Sequence, residues 1–384
     1  MYFSLNIFLK MRAIKKNYSV PFFNYPFLFK AHEEEYLRIF KDVGYRGAFI
    51  LQKDLEDFEI NLAKFAGTKY AVGLANGTDA IWIALMAAGI GKDDEAIFAS
   101  HTYIATAAAI HFVGAIPIPV DCKPDHMIDP DSIRKCITSK TKVIIPTQLN
   151  GRCCDMEAIM SIAKEYNLIV LEDAAQGLGA KHKGVGVGAF DKGGTISFYP
   201  AKTLGSFGDG GGFVTNDKDM YERVMLLRDH GRNIDGTFVT WGFNSRLDNL
   251  QAAFLNYKIK SYQEDISRRR EIASLYQGLL GHLKQLVLPP QPEVNGDYFD
   301  VYQNYEIEAE RRDELKEYLQ DKGVGTLIQW GGQPVHSITS LGFTGKGLPH
   351  TEQMFTKCLM IPMNTSLSNE DVAYVCEQII KFYS

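Results

Sequence analysis

The stretch "KYAVGLANGTDAIWIALMAAG", residues Lys69 to Gly89, changes its hydrophobic period once, at Asn76-Gly77-Thr78. Before that point "KYAVGLA" is a short apolar run, the pattern of a buried strand. After it the apolar residues recur at helical spacing, so a helix is predicted to open at Gly77 or Thr78. The same alternation continues downstream. Strands are predicted at "EAIFAS" (95–100), "IPIPVD" (116–121), "KVIIPTQL" (142–149), "LIVLED" (168–173), "GTISF" (194–198) and "GGFVTN" (211–216). Helices are predicted between them at "YIATAAAIHFVG", "DPDSIRKCI" and "DMEAIMSIAKEY". Val- and Ile-rich strands separated by helices imply an α/β fold, with a largely parallel sheet covered on both faces. Such sheets bind ligands beyond the carboxyl ends of their strands. That rule directs attention to residues 76–78, 100–103, 173–176 and 197–202.

After Asn216 the pattern shifts to helix. "DKDMYERVMLLRDHG" is amphipathic, and residues 246–280 form a long helical stretch expected to break at Gly278 and Gly281. "LPPQPEVNGD" (288–297) reads as a Pro-rich linker, followed by a smaller region of mixed strand and helix. The expected division is an N-terminal arm over 1–30, a large domain over 31–258 and a small α+β domain over 259–384.

Bulk properties narrow the function. The chain has 384 residues, 46% hydrophobic and 23% charged, with a net charge of −5. No polybasic signature points to nucleic acid, and no apolar run is long enough for a membrane span. The first residues, "MYFSLNIFLKMRAIKKNYSV", carry their basic groups after the apolar patch, unlike a signal peptide, and Met11 is a candidate start. Six cysteines without C-x-x-C spacing read as free thiols of a reducing cytoplasm. "GVGVG" (184–188) lacks the G-x-G-x-x-G spacing of a dinucleotide loop, so it is read as a plain loop.

The candidate chemistry lies at the strand ends. Within the glycine-rich "SFYPAKTLGSFGDGGGFVTN" (197–216), Lys202 is the sole basic residue. Small neighbours let a flat molecule approach its amine, which can form an imine with a carbonyl compound. Taken alone, a surface lysine fits equally. Asp173 closes the apolar strand "LIVLED", where a carboxylate needs a partner. A pyridinium nitrogen suits it, in the pattern of a lysine-bound pyridoxal phosphate with an acidic partner on the ring nitrogen. A metal ligand or a helix cap is the alternative, although the neighbouring carboxylates and histidines show no metal-ligand spacing. Gly77 and Thr78 offer donors to an anion at a helix N-terminus, or else simply cap it. Ser197 adds a hydroxyl. Tyr103 either stacks on a flat ring or packs in the core.

Together "NGTDA", "SHTYIATA", "IIPTQLNG", "LEDAAQ", "SFYPAKTLGSFGDGG", "RDHG", "GFNSRLDNLQAA" and "LPHTEQMFTKCLMIPM" resemble the DegT/DnrJ/EryC1/StrS family of sugar aminotransferases. The likeness runs from Val20 to Ser384. It implies the fold of aspartate aminotransferase (pyridoxal phosphate fold type I), with a mostly parallel seven-stranded sheet and a smaller C-terminal domain. It also implies pyridoxal 5'-phosphate as cofactor, bound through Lys202. By the same likeness Asp173 pairs with the pyridine nitrogen, Gln176 reaches the phenolic oxygen and Tyr103 stacks on the ring. Gly77, Thr78 and Ser197 hold the phosphate, and Asn244 reaches the phosphate of the neighbouring subunit in a homodimer. His230, Arg246 and His336 are substrate-side candidates. Dehydratases of the family carry histidine in place of the lysine, so Lys202 favours transamination. "KTLGSFGDGG" resembles members that aminate C-3, whereas C-4 members read more like K-x-x-T-x-G-E-G-G. The expected substrate is a 3-keto nucleotide sugar, either UDP-3-keto-N-acetylglucosamine or a dTDP-3-keto-6-deoxyhexose, with L-glutamate as donor. Cell-surface polysaccharide, lipid A (lipopolysaccharide) and antibiotic glycosides are the candidate end products. A C-4 aminotransferase or a dehydratase of the same fold is the alternative. "LIQWGGQPVH" (327–336) departs from the commoner Pro-Leu-His ending of that segment.

Overall fold

The computed structural model describes residues 19–343 and 347–384. Met11 and the first part of the expected arm lie outside the described residues. The chain begins with helices α1 (Tyr25–Lys30), α2 (Glu33–Arg46) and α3 (Lys53–Ala66). Alternation follows: β1 (Tyr70–Leu74), α4 (Gly77–Ala87), β2 (Glu95–Ala99), α5 (Ile104–Phe112), β3 (Ile116–Val120), α6 (Pro130–Cys136), β4 (Thr141–Ile145) and α7 (Met156–Tyr166). Short strands come next: β5 (Ile169–Val170), β6 (Glu172–Asp173), β7 (Lys181–His182), β8 (Val185–Gly186), β9 (Gly194–Ser197) and β10 (Gly211–Thr215). The remainder comprises α8 (Lys218–Arg228), α9 (Asn249–Lys258), α10 (Tyr262–Leu280), β11 (Leu286–Val287), β12 (Tyr298–Phe299), β13 (Tyr305–Ala309), α11 (Arg312–Asp321), α12 (Pro349–Phe355), β14 (Cys358–Ile361) and α13 (Asn369–Tyr383).

Two four-stranded sheets carry the strand ends, in the orders β3-β2-β4-β5 and β1-β10-β9-β6. They meet at residues 169–173. There Leu171 N–H donates to the Ile144 carbonyl at 3.1 Å and Asp173 N–H to the Pro146 carbonyl at 3.0 Å. Pairing is parallel throughout the first sheet and between β6 and β9. β10 runs antiparallel to both β1 and β9. The link from β9 to β10, residues 198–210, holds no helix to return the chain, so the two strands pair antiparallel.

Both sheet faces are buried, which accounts for the nearly continuous apolar strands. In β2, Ile97 and Ala99 enter one core while Ala96 and Phe98 enter another. β4 and β10 divide likewise, with Ile144 and Val214 on the first side and Val143, Ile145 and Phe213 on the second. A further core forms where the antiparallel sheet β11-β13-β14 packs on helices. α10 supplies Tyr262 and Ile266 to the first of these cores and Ile272, Tyr276 and Leu280 to the last, so one helix spans both. Val20 is stitched to the same end of the molecule by backbone bonds with Gly323 and Gly325.

Two local expectations are corrected. The long helix does not break at Gly278, which lies inside α10 with open space where a side chain would be. It breaks at residues 259–261, where the backbone tightens into i→i−3 bonds. Packing of the wholly buried Tyr262, whose hydroxyl donates to the Leu178 carbonyl, sets that turn. "GVGVG" is not a plain loop either. It contributes β8 to a hairpin with β7, turned by Lys183 and Gly184, both at positive φ.

Candidate active site

Asp173 sits at the end of β6 and is 4% exposed. Side chains alternate along a strand, so Glu172 and Asp173 face opposite ways. Glu172 accepts from Gln148 Nε2 and from the Gly188 and Phe190 N–H groups, anchoring the β7–β9 region. Asp173 accepts from Thr106 Oγ1 at 2.6 Å and from Ala175 N–H at 3.2 Å. Behind Thr106 lies a file of hydroxyls: Thr147 donates to Thr102 at 3.0 Å, and Thr102 bonds Thr106 at 2.9 Å. Burial pushes the Asp173 pKa up, and the nearby Lys202 charge opposes this. A carboxylate so placed favours a cationic partner.

Lys202 is half-buried in the loop after β9. Burial pushes its pKa down to about 8, with the charge of Asp173 pulling the other way. Among the described residues no hydrogen bond engages its amine; burial and the charge of Asp173 account for the shift. A neutral fraction of the amine is therefore present near neutral pH, as imine chemistry requires.

Three segments converge beside this pair. Asn76 caps α4, its side chain accepting from Asp79 N–H at 2.8 Å. A Cβ on Gly77 would stand 2.9 Å from that of Ser197, and one on Gly211 would stand 2.3 Å from the Asn76 carbonyl carbon. Only glycine permits this approach, and it sets the Ser197 hydroxyl against the first turn of α4, beside Thr78. The arrangement presents N–H and O–H donors to an anion.

The other candidates are placed as follows. Tyr103 caps α5 and is 55% exposed, which rules out core packing; its ring lies 6.5 Å from that of Trp330. Gln176 accepts through Oε1 from Asn150 N–H at 2.9 Å, leaving its amide nitrogen to donate. Asn244 is exposed, next to Ser245, which donates to Asp79 Oδ2 at 2.7 Å and so docks this loop at the start of α4. His230 is exposed at positive φ. Arg246 pairs with Asp229 at 2.9 Å. His336 is buried, its Nδ1 2.6 Å from Ser100 Oγ and its Nε2 3.2 Å from Glu352. Thr102, Thr106 and Thr147 were not singled out by the sequence. The i, i+4 spacing of the first two was the available signal; Thr147 comes from a separate strand end.

These residues fit a phosphorylated pyridine aldehyde. An anion cradle, a buried carboxylate and an amine of lowered pKa lie together, with an exposed aromatic ring and an amide donor on the adjoining turns. The comparisons agree. The model of the DegT/DnrJ/EryC1/StrS aminotransferase family matches residues 30–380. A "Pleiotropic regulatory protein" of Geobacillus stearothermophilus is 39% identical over 95% of this chain and 99% of its own. A "dTDP-3-amino-3,4,6-trideoxy-alpha-D-glucose transaminase" of Streptomyces venezuelae is 36% identical over 87% of this chain and 88% of its own. The crystal structure of DesV from S. venezuelae, solved with a ketimine intermediate, superposes with a TM-score of 0.90 at 35% identity, covering 94% of this chain and 98% of that one.

Proposed function

The chain belongs to the DegT/DnrJ/EryC1/StrS aminotransferase family, and we propose that it aminates C-3 of a 3-keto nucleotide sugar with L-glutamate as donor. It is a sugar transaminase whose cofactor is pyridoxal phosphate. The observation that carries the reading is the buried Asp173, held by Thr106 at the end of β6, beside the paired strand β9 whose Ser197 forms a cradle with Gly77.

Pyridoxal phosphate, when bound, supplies an electron-withdrawing ring that stabilises a carbanion next to nitrogen. The protein's residues do the rest. Lys202 would hold the cofactor, and its freed Nζ would carry a proton from the donor's α-carbon to the cofactor's C4′ carbon and, in the second half, from that carbon to C-3 of the sugar. Asp173 keeps the ring nitrogen protonated, and Thr106 orients that carboxylate. Gly77, Thr78 and Ser197 bind the phosphate, Gln176 donates to the phenolic oxygen and Tyr103 covers the ring. His230, Arg246 and His336 are assigned to the substrate side.

We read the two sheets as one seven-stranded sheet passing through residues 169–173, with a large domain over 31–258, a small one over 259–384 and an arm before them. The working unit is a homodimer in which Asn244 crosses to the neighbouring phosphate. Exposed Tyr45, Phe40, Ile234, Phe238 and Trp241 support a second copy on these surfaces. No helix among the described residues is long and apolar enough to cross a membrane. The thiols of Cys122, Cys153, Cys154, Cys358 and Cys376 support a reducing compartment, the cytoplasm. UDP and dTDP substrates both suit the reading, and the product enters amino-sugar synthesis for surface glycans such as lipopolysaccharide.

The test supplies 15N-glutamate with 3-keto and 4-keto nucleotide sugars separately and locates the label by NMR. Label on C-3, with 2-oxoglutarate formed, is expected. Label on C-4 would overturn the position, and a deaminated or deoxygenated product without label would favour a dehydratase.

A further inference from the structure

Two imidazoles and a carboxylate that carry no assigned cofactor role meet in the interior. His101 follows β2, His126 lies in the turn after β3, and Glu306 is on β13. One atom from each lies within 4.8 Å of the other two. His126 Nδ1 stands 3.1 Å from Glu306 Oε2, and His101 Nε2 stands 3.5 Å from the same oxygen. All three residues are buried, His101 and Glu306 almost completely. Strand alternation explains the arrangement. Tyr305, Ile307 and Ala309 face the core beneath β13, so Glu306 and Glu308 project from its other side toward His126.

Ion pairing alone leaves this cluster unfinished. Neither ring nitrogen of His101 makes a well-formed hydrogen bond, although the Gln329 side chain and the His126 backbone lie beside the ring. Glu306 Oε1 is likewise buried without a partner. Orphaned buried polar atoms are rare and call for an explanation, a bound ion being one. We propose that His101, His126 and Glu306 bind a divalent transition-metal ion of the zinc class.

Three observations support this. Zinc with nitrogen and oxygen ligands at about 2.0–2.2 Å in a tetrahedron has ligand–ligand edges of roughly 3.3–3.6 Å. The two separations to Glu306 Oε2 bracket the lower end of that range. Second, His126 Nε2 stands 3.2 Å from Glu308 Oε1. A ligating imidazole characteristically gives its other nitrogen to a carboxylate in this way. Third, a cavity of about 50 Å³, lined by Asp125, His126, Asn150, Arg152, Asp300 and Glu306 together with apolar side chains, reaches two of the ligands. The ion would tie β13 to the ends of β2 and β3. Asn150 donates to Glu306 Oε2 at 3.0 Å and through its N–H to Gln176, so the tie extends to the active site.

The test is made on the holoenzyme after chelator treatment and gel filtration. Zn2+ is added, excess is removed, and bound metal is measured by atomic emission; Co2+ is used in parallel for its visible ligand-field bands. We expect one ion per chain and an intense tetrahedral Co2+ spectrum that Zn2+ abolishes. Glu306→Gln and His101→Phe should lose both while still binding pyridoxal phosphate, and Glu308→Gln should weaken binding about 10-fold. No retained ion in the wild-type protein would overturn the proposal, even if a variant failed to fold. So would retention unchanged in Glu306→Gln and His101→Phe, since the ion would then sit elsewhere.

Discussion

Lys202→Ala is expected to lower transamination by about 10⁴-fold or more with the fold intact, because on the proposed roles the substitution removes both the covalent attachment and the proton carrier. The fold should tolerate it because among the described residues the amine makes no hydrogen bond, and burial pushes its pKa down to about 8. The variant should still bind pyridoxal phosphate through the cradle at Gly77 and Ser197, but without the absorption of the lysine-bound form. A small primary amine in the buffer should restore part of the rate, since it can carry the proton that Nζ carried. Circular dichroism and thermal unfolding confirm the fold, and stopped-flow kinetics with L-glutamate measure the loss. Turnover within about 10-fold of wild type, without added amine, would remove Lys202 from its role.

Asp173→Asn lowers the rate of proton abstraction by about 10²-fold or more, the scale on which a preorganised electrostatic contact is lost. An amide can still accept from Thr106, so the hydroxyl file through Thr102 and Thr147 survives and cofactor affinity falls less than rate. What disappears is the negative charge. A second readout separates this from a packing effect: Asp173 holds the Lys202 pKa up, so in the variant that pKa falls below about 8. The substrate deuterium isotope effect should rise as abstraction becomes limiting. An unchanged rate and an unchanged Lys202 titration together would show that another group protonates the ring.

The parts of this site that lie within one sequence segment were legible beforehand. Asn76 marks where a strand period becomes a helix period, and the helix starts at Gly77, as that change implies. Asp173 stood out as a charge ending an apolar run, and it is buried with a hydroxyl partner. Features made by distant segments were not legible. Nothing in "GGFVTN" states that its neighbours run antiparallel; the helix-free link from β9 decides it. Glycine at 278 suggested a break, but a lone glycine costs a helix only about 1 kcal/mol. The buried Tyr262 placed the break elsewhere. His101, His126 and Glu306 are scattered along the chain, so no metal spacing marked them, and only the closing of β13 over the β2 and β3 ends unites them.

The central claim is that Lys202 and Asp173 carry a transamination completed in two separable halves. The direct measurement is the visible absorption of the purified holoenzyme, first with L-glutamate alone and then with a nucleotide sugar. The account predicts bleaching by glutamate and recovery of the band on adding a 3-keto sugar, with no recovery without it. The absence of a visible band after loading with pyridoxal phosphate, or a band that glutamate leaves untouched at every pH around 8, would contradict it.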